Sequence, residues 1–268
     1  MLNSMRIVVF VTVCGCSSSI TAQITAAMTT QIFKHALLTF RRPYIGAQCR
    51  FYGSPCCSIG DEAVSYRLTY FDLRYLAEGA RQIFHHKGVL FEDIRIKRED
   101  WPAFKSKTPF GQLPILEVDG EVISQSYAIN RYLARRFGLA GTSLIEEALV
   151  DSVADAHKDF LETSRLYFRL LIGTEQGDKD DVYRNAIVPA RERYLPALER
   201  FLAKSGSRYL VGKTVTWVDF VVSESLATWE ELVPGFLDRN PKLKKYARLV
   251  RQLPNIAKWI DERPKTPF

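Results

Sequence analysis

The sequence predicts a small α/β domain followed by an all-helical domain. Between residues 66 and 137, strand-like alternation, helical spacing and turn residues follow one another in the order β-α-β-loop-β-β-α. From residue 145 to 260, long segments carry apolar side chains at three- and four-residue steps, and none alternates like a strand. A length of 268 residues accommodates two small domains of these kinds.

The first domain opens with a strand, a helix and a second strand. Residues 66–71 read YRLTYF, which places both tyrosines and the leucine on one face of a strand. Residues 73–87 carry apolar side chains at helical spacing, which predicts an amphipathic helix. Residues 91–96 read FEDIRI and predict the second strand, after which a polar segment contains Trp101.

A hairpin and a helix complete this domain. The mostly apolar residues 115–118 precede Asp119-Gly120, a dipeptide that favours a two-residue turn between antiparallel strands. Pro114 stands at the head of the first strand, where no ladder donor is required. Ser126 is predicted to cap the following helix, because a hydroxyl oxygen can accept hydrogen bonds from the first turn.

The second domain is predicted to consist of helices separated by glycine and proline. The helical segments are 146–172, 180–204, 217–232 and 242–250, and the residues that punctuate them are Gly206, Gly212, Pro234, Pro241 and Pro254. Thr216 and Asp219 stand three residues apart at the start of one segment and predict a capping box. We interpret this pair as a folding element rather than a catalytic one.

Charge and cysteine are unevenly distributed along the chain. The net charge is +7, but residues 1–60 contain five basic residues and no acidic one, which leaves 32 basic and 30 acidic residues in 61–268. The folded part is therefore nearly neutral and lacks the basic stripe of a nucleic-acid binder. All five cysteines also lie in the first 60 residues, so the two domains can contain no disulfide, thiolate metal site or cysteine nucleophile.

Residues 1–64 form a leader with more than one interpretation. Arg6 precedes the apolar run 7–14 and a series of small residues, which is typical of a signal peptide, and the run is too short to span a membrane. The lack of acidic residues, with scattered arginine and serine, also suits an organelle transit peptide. A disordered leader and a wrongly chosen start codon are the alternatives to targeting.

Several blocks between residues 66 and 268 resemble cytosolic glutathione S-transferases. The resemblance is to the sigma class, as found in nematodes and in the glutathione-dependent prostaglandin D synthases. The blocks are YRLTYF at 66–71, DWP at 100–102, PFGQLPILEVDG at 109–120, QSxAI at 125–129, LAG at 139–141, VTWVDF at 215–220 and RPKTPF at 263–268. The resemblance implies a thioredoxin-like glutathione-binding domain over 65–142 and an all-helical domain over 145–268 that contains the acceptor-substrate pocket.

The resemblance implies that the opening of the hairpin binds glutathione. In this family the Leu113-Pro114 bond is cis, and the backbone of Leu113 pairs with the cysteinyl residue of glutathione as one strand pairs with another. Gln112 flanks the proline and contacts the peptide. Gln125 and Ser126 bind the γ-glutamyl carboxylate, because free N–H groups and the helix dipole meet at a helix N-terminus.

The resemblance also assigns the catalytic group. In the sigma class, a tyrosine at the end of the first strand donates a hydrogen bond to the glutathione sulfur and stabilises the thiolate, and this position is Tyr70. Tyr66, at the start of the strand, is expected to pack in the core. Trp101 is expected to hydrogen-bond the glycyl carboxylate region, and Lys105 to neutralise that carboxylate. The thiolate then attacks a small hydrophobic electrophile held against the helical domain.

A stripe of carboxylates lies on the first long helix of the second domain. Asp151, Asp155 and Asp159 are spaced four residues apart, and by itself this spacing describes a solvated helix face. The resemblance implies a homodimer in which Asp159 reaches across the interface toward the amino group of glutathione. Some family members place a divalent ion between acidic residues here, but Lys158 replaces one expected carboxylate, so no metal site is predicted.

Two positions depart from the family pattern. Family members usually carry glycine after the arginine that follows the first strand, and often a second arginine two residues past the first, whereas Arg74 is followed by Tyr75 and Leu76. Leu76 cannot contact the glycyl carboxylate, and Tyr75 replaces a residue whose small size permits tight packing. We therefore expect a lower affinity for glutathione, or a larger contribution of Lys105 to neutralising the glycyl carboxylate. The expected lining of the acceptor pocket is Tyr167, Phe168 and Leu171.

Three functions are compatible with these residues. The first is a transferase that conjugates glutathione, its co-substrate, to electrophilic xenobiotics or lipid-peroxidation products. The second is a glutathione-dependent isomerase that converts prostaglandin H to prostaglandin D with the same thiolate. The third is a non-catalytic ligand carrier or crystallin-like protein, against which the retained Tyr70 argues. The resemblance implies a cytoplasmic protein, unless residues 1–64 direct it to secretion or to an organelle.

Overall fold

The computed structural model of the chain describes residues 64–266 and residue 268. The leader predicted over 1–64 therefore lies outside the described residues, apart from Val64, and so do all five cysteines. Val64 packs against the hydrophobic core. In the described part of the chain, no helix has the length and apolar character needed to cross a membrane.

A four-stranded mixed sheet forms the centre of the first domain. Its strands are β1 (Tyr66–Phe71), β2 (Glu92–Ile96), β3 (Ile115–Val118) and β4 (Glu121–Ser124). The order across the sheet is β2-β1-β3-β4, in which β1 runs parallel to β2 and antiparallel to β3, and β3 runs antiparallel to β4. The predicted strands are confirmed, and β2 begins one residue later than predicted.

The turn between β3 and β4 has the geometry that its two residues favour. Asp119 has a φ of 49° and Gly120 a φ of 91°. Two consecutive positive φ values give the turn whose twist matches an antiparallel pair of strands. The Asp119 carboxylate also accepts a hydrogen bond of 2.8 Å from the backbone N–H of Ser65. The predicted hairpin is confirmed.

Helices follow the strands in the first domain and make up the second half of the described chain. They are α1 (Glu78–Lys87), α2 (Trp101–Lys105), α3 (Ser126–Phe137), α4 (Leu144–Leu171), α5 (Lys179–Val182), α6 (Val188–Ser205), α7 (Trp217–Leu232), α8 (Pro241–Arg251) and α9 (Pro254–Glu262). The four helical segments predicted after residue 145 are present. The first of them, α4, begins earlier than predicted because the Ser143 hydroxyl accepts a hydrogen bond of 3.2 Å from the Glu146 N–H and caps the helix.

Two features of the helical half differ from the prediction. The segment 180–204 is interrupted by a π-helical turn, Tyr183–Ile187, between α5 and α6. Pro189 near the start of α6 has no N–H to donate to the carbonyl four residues earlier, which favours the wider turn. Pro254 separates α8 from α9 as expected, but it also begins α9, a helix that was not among the predicted segments, and its missing N–H costs nothing there.

The predicted capping box at the start of α7 is confirmed. The backbone N–H and the hydroxyl of Thr216 donate to Asp219 Oδ2 at 2.8 Å and 2.9 Å. The other carboxylate oxygen accepts from the Leu210 N–H at 2.9 Å and the Tyr246 hydroxyl at 3.0 Å. Asp219 is fully buried, and burial raises its pKa to about 6. The pair therefore fixes α7 to the preceding loop and to α8.

Two predicted helix starts were wrong for a shared reason. The helix α1 begins at Glu78 rather than 73, because Tyr75 has a φ of 28° and a short 3₁₀ turn over Tyr75–Ala77 precedes the helix. Ser126 is the first residue of α3 rather than its cap, and Gln125 takes the cap position with a φ of 74°. A positive φ interrupts the helical path at each place.

The first domain packs on the second through α1 and α3. The helix α1 contacts α7 and α9, and α3 contacts α7. Glu78 and Glu224 are buried at this boundary. Arg263 donates to Glu78 at 2.6 Å and to Glu224 at 2.8 Å, and Arg74 donates to Glu224 at 3.0 Å. These ion pairs fix the end of β1, where the predicted catalytic tyrosine lies, relative to the helical half.

Candidate active site

Tyr70 lies near the end of β1 with 3% of its surface exposed. The backbone N–H of Leu76 interacts with its phenol oxygen and partly offsets the effect of burial on its pKa. Burial raises the pKa of Tyr70 well above its usual range, so the phenol is protonated at neutral pH. This residue can therefore act as a neutral hydrogen-bond donor.

Tyr66 has a different environment at the other end of the same strand. Its ring packs against Phe84 and Phe137, with ring centroids 5.2 Å and 6.0 Å apart. Its hydroxyl is buried and has no hydrogen-bond partner among the described residues. These contacts are those of a packing residue, which is the role predicted for Tyr66.

The short helix α2 presents Trp101 and Lys105 beside β1. The Trp101 ring meets Phe71 edge-on at 5.5 Å, and Phe71 contacts Tyr70 at 5.7 Å. Lys105 is exposed, and its Cε would lie 3.2 Å from a Cβ added at Gly111, which has a φ of 60°. Glycine at this position lets the lysine stem lie close to the loop that leads into β3.

The hairpin opening has the predicted cis bond. The peptide bond between Leu113 and Pro114 is cis. The strand β3 begins at Ile115, which pairs with Thr69 of β1. Leu113 therefore lies just beyond the paired part of the sheet, at the edge nearest the end of β1.

The two glutamines predicted to contact glutathione lie together. Gln125 Nε2 donates to Gln112 Oε1 at 3.0 Å. Gln125, with its φ of 74°, stands directly before α3, and Ser126 is the first helical residue and is 8% exposed. The first backbone N–H groups of a helix have no partner within that helix. The hairpin opening and a helix N-terminus thus converge at this point.

The carboxylate stripe on α4 divides into two parts. Arg131 of α3 donates to Asp151 at 2.8 Å and to Asp155 at 2.7 Å. Both carboxylates therefore tie α4 to α3, while the Asp155 side chain remains 66% exposed, as expected for a solvated helix face, and that of Asp151 is 29% exposed. Asp159 is exposed and forms no ion pair with any described residue. In the described ranges, no group of three or more His, Cys, Asp or Glu is arranged to hold a metal ion.

Tyr75 occupies space between the two domains despite its unfavourable backbone angle. Its φ of 28° lies in the region that favours glycine. Its ring packs against Phe168 at 5.1 Å and Phe268 at 5.9 Å, and burial raises its pKa to about 12. The departure from the family pattern at this position is therefore accommodated by aromatic contacts with the helical half.

A small cavity of about 40 Å³ lies between the domains. Tyr75 and Leu76 line it on the side of the first domain. Of the three residues predicted for the acceptor pocket, Phe168 lines this cavity and the other two do not. Tyr167 instead packs against Trp229, with ring centroids 5.3 Å apart.

Sequence reasoning missed several polar residues that line the same cavity. Among them are Tyr127 and Asn130 of α3 and His157 of α4, which are all buried. His157 Nδ1 lies 2.8 Å from the Tyr194 hydroxyl, and burial lowers the pKa of His157 to about 3, so the imidazole is neutral. The sequence feature that could have identified these residues is a polar side chain on the otherwise apolar face of each predicted helix.

Comparison with known families covers most of the described residues. Residues 66–135 match the family described as glutathione S-transferase, N-terminal domain, and residues 162–263 match glutathione S-transferase, C-terminal domain. The chain is 64% identical over 203 residues to glutathione S-transferase 1 of Ascaris suum, a match that covers 76% of this chain and 98% of that protein.

Solved structures give the same result. The crystal structure of the glutathione S-transferase from Ascaris lumbricoides has 63% identity and a TM-score of 0.73, and the match covers 76% of this chain and all of that one. Prostaglandin synthase D of Nilaparvata lugens has 33% identity and a TM-score of 0.68, over 75% of this chain and all of that one. The predicted fold and the resemblance to nematode enzymes are confirmed. The chain therefore belongs to the glutathione S-transferase family, as an enzyme whose co-substrate is glutathione.

Proposed function

We propose that Tyr70 stabilises the thiolate of bound glutathione, and that this thiolate attacks a small hydrophobic electrophile held between the domains. The observation that carries the proposal is the buried phenol of Tyr70 near the end of β1, which burial keeps protonated and therefore able to donate a hydrogen bond. A thiol with an ordinary pKa of about 8.5 is mostly protonated at neutral pH. A hydrogen bond donated to the sulfur favours the anion over the thiol.

The reaction needs no covalent bond to the protein. The thiol proton leaves to solvent, the sulfur lone pair forms a carbon–sulfur bond, and a leaving group such as chloride departs with its bonding electrons. Tyr70 stays protonated during this step, because burial raises its pKa. The protein contributes stabilisation of the thiolate and positioning of the two reactants.

Glutathione lies along the hairpin opening in this proposal. The backbone of Leu113, beside Pro114, pairs with the cysteinyl residue, and Gln112 contacts the peptide. Gln125 and Ser126 bind the γ-glutamyl carboxylate at the N-terminus of α3. The hydrogen bond between the two glutamine side chains and the free N–H groups of the first helical turn support this placement.

The glycyl end of glutathione lies near α2. Trp101 donates its indole N–H to the glycyl carboxylate region, and Lys105 neutralises the charge. The support is the position of Trp101, one aromatic ring away from Tyr70, and the exposure of the lysine. Leu76 offers no charge to this carboxylate, so Lys105 carries more of the interaction than an arginine-containing site would require.

The active unit is a homodimer with a shared site. Asp159 is the one member of the stripe that Arg131 does not bind, and its carboxylate is exposed. An ammonium group withdrawn from water needs an anionic partner. In a two-fold dimer, each glutathione amino group can take this carboxylate from the other subunit.

A second reaction remains a candidate because of one comparison. The similarity to prostaglandin synthase D of Nilaparvata lugens favours an isomerase that uses the same thiolate on prostaglandin H. Parallel assays with chlorodinitrobenzene and prostaglandin H₂ separate the two functions. Turnover of the aryl chloride supports the conjugating transferase, and formation of prostaglandin D alone would favour the isomerase. A protein inactive in both assays would argue against Tyr70 chemistry altogether.

We place the glutathione-binding domain at 65–142 and the helical domain at 145–268, with residues 1–64 as a separate segment. We place the activity in the cytoplasm, with secretion or an organelle as the alternative if residues 1–64 act as a targeting signal. Fractionation of cells that express the full chain distinguishes these locations.

A further inference from the structure

The loop between β1 and α1 contains a strained residue close to the proposed catalytic tyrosine. Tyr75 has a φ of 28°, which residues with a Cβ rarely adopt. The loop turns directly from the end of β1, where the Leu73 N–H donates to the Phe71 carbonyl at 2.7 Å and Tyr70 is the preceding residue. Backbone strain of this kind persists only where the surrounding structure enforces it, and it concentrates at functional sites. The contacts that hold Tyr75 are therefore candidates for a functional role.

Phe268 contacts this loop in two ways. Its backbone oxygen accepts a hydrogen bond of 2.9 Å from the N–H of Arg74, the residue directly before Tyr75. Its ring meets the Tyr75 ring edge-on, with centroids 5.9 Å apart, which is a favourable arrangement of two aromatic rings. Phe168 of α4 completes the cluster, at 5.1 Å from Tyr75 and 4.9 Å from Phe268. Phe268 is 2% exposed, so packing fixes its ring against the loop.

The segment after α9 that carries Phe268 is itself anchored to the helical half. Arg263, at the start of this segment, is 6% exposed and donates to Glu224 of α7 at 2.8 Å. The same carboxylate accepts from the Arg74 side chain at 3.0 Å. One buried group on α7 therefore binds both the loop after β1 and the segment after α9. Phe268 thus meets the loop from a fixed base rather than from a free chain end.

We propose that Phe268 is a positioning residue for the transferase reaction, which holds Tyr75 in its unfavourable backbone conformation and thereby fixes the end of β1, where Tyr70 lies. The inference rests on the proposed catalytic role of Tyr70. Glycine adopts a positive φ without steric cost, so the dependence on Phe268 is specific to a loop that carries tyrosine at this position. A small displacement of a catalytic group lowers the rate strongly, because the reacting atoms must be closely aligned.

The test is a double-mutant cycle on the full chain, with kcat for glutathione and chlorodinitrobenzene as the readout, corrected for the folded fraction. Phe268→Ala removes the ring but keeps the backbone oxygen that the Arg74 N–H binds. We expect this variant to lower kcat about tenfold, because the loop and the end of β1 lose their fixed position. Tyr75→Gly removes the strain, so Phe268→Ala should lower kcat less than about twofold in that background.

Two further variants separate positioning from general destabilisation. Phe268→Leu keeps most of the apolar volume without the ring, so it should fold even if Phe268→Ala does not, and its smaller loss of kcat should also disappear in the Tyr75→Gly background. Phe236→Ala is the matched control. Phe236 is also 2% exposed, but its ring stacks on Trp229 at 5.1 Å rather than on the loop. Its truncation should lower the free energy of unfolding, with the same effect on kcat in both backgrounds.

The outcomes distinguish the positioning role from the underlying reaction. An equal fall of kcat in both backgrounds would overturn the positioning role, because a ring that touches the acceptor substrate or only stabilises the fold does not depend on Tyr75. Unchanged kcat in both Phe268→Ala and Phe268→Leu would also overturn it. In either case, a large loss of turnover in Tyr70→Phe would show that the proposed function stands. Turnover that Tyr70→Phe does not reduce would overturn the proposed function instead.

Discussion

Arg74 and Glu224 form a buried ion pair of 3.0 Å between the loop after β1 and the helix α7. The Glu224 carboxylate also accepts from Arg251 at 2.6 Å, from Arg263 at 2.8 Å and from Gln82 of α1 at 3.1 Å. Burial by itself would raise the pKa of Glu224, but the three arginines lower it overall. One carboxylate therefore joins both halves of the transferase fold and the segment after α9.

We expect Glu224→Gln to lower the free energy of unfolding by about 3–5 kcal/mol, because buried arginines lose their anionic partner. Urea denaturation at neutral pH measures the change. Glu231→Gln is the matched control, since Glu231 also pairs with Arg74 and Arg251 but its side chain is 50% exposed. Its expected cost is below about 1 kcal/mol. Equal costs for the two variants would contradict the structural role of Glu224.

His157 gives the fold a specific sensitivity to acid. Burial lowers its pKa to about 3, whereas the unfolded chain has a pKa near 6.5. Only the unfolded chain gains a proton between these values, so the contribution to stability is complete above pH 6.5 and is lost as pH falls toward 3. Between pH 7 and pH 5 we expect a loss of about 2 kcal/mol.

The comparison of wild type with His157→Gln isolates this contribution from the titration of other groups. The free energy of unfolding is measured by urea denaturation at several pH values from 5 to 7. The difference in the free energy of unfolding between the two proteins should become smaller toward pH 5, because only the wild type contains the histidine. If the free energies of unfolding of the two proteins changed in parallel with pH, this imidazole would titrate normally in the folded state.

The hairpin shows how far local chemistry predicts this fold. Asp119 and Gly120 tolerate the positive φ values of their turn without help from distant residues, so a dipeptide was sufficient to predict it. The capping box at Thr216 and Asp219 is equally local, because both partners lie within one helical turn. The cis bond before Pro114 was predicted from the family resemblance and not from such a pattern.

The features that escaped prediction depend on residues far apart in the chain. Tyr75 keeps its positive φ while its ring packs between Phe168 and Phe268, which are contributed by the helical half. Gln125 interrupts the start of α3 while its side chain bonds to Gln112 across the hairpin opening. Helical spacing predicted buried faces, but it could not show that a polar residue such as Asn130 lines a cavity.

Tyr70→Phe tests the catalytic assignment. We expect kcat to fall about 10²–10³-fold, as when one donor to a developing anion is removed. Glutathione affinity should change little, because the other contacts remain, and calorimetry measures it directly. Tyr66→Phe is the control and should retain normal kinetics with chlorodinitrobenzene, since its hydroxyl has no described partner. A larger loss in Tyr66→Phe than in Tyr70→Phe would contradict the assignment.

A chain limited to residues 64–268 should fold and conjugate glutathione. The described residues contain both halves of the family fold, and the match to the Ascaris suum enzyme spans 98% of that protein within 203 residues. Thermal unfolding and the chlorodinitrobenzene assay compare this chain with the full one. An insoluble or inactive product would show that residues 1–63 contribute to the fold.

Asp159→Ala tests the shared site of the proposed homodimer. The glutathione ammonium loses an anionic partner from the other subunit, so we expect KM for glutathione to rise more than kcat falls. The loss of this charge-assisted contact should cost about 1.5–3 kcal/mol. Asp155→Ala is the control, because Arg131 already binds that carboxylate at 2.7 Å and KM should stay near the wild-type value. Sedimentation must also show a dimer at the assay concentration. A fully active monomer would refute the shared site, and unchanged glutathione affinity in Asp159→Ala would remove this residue's role while the transferase assignment stands.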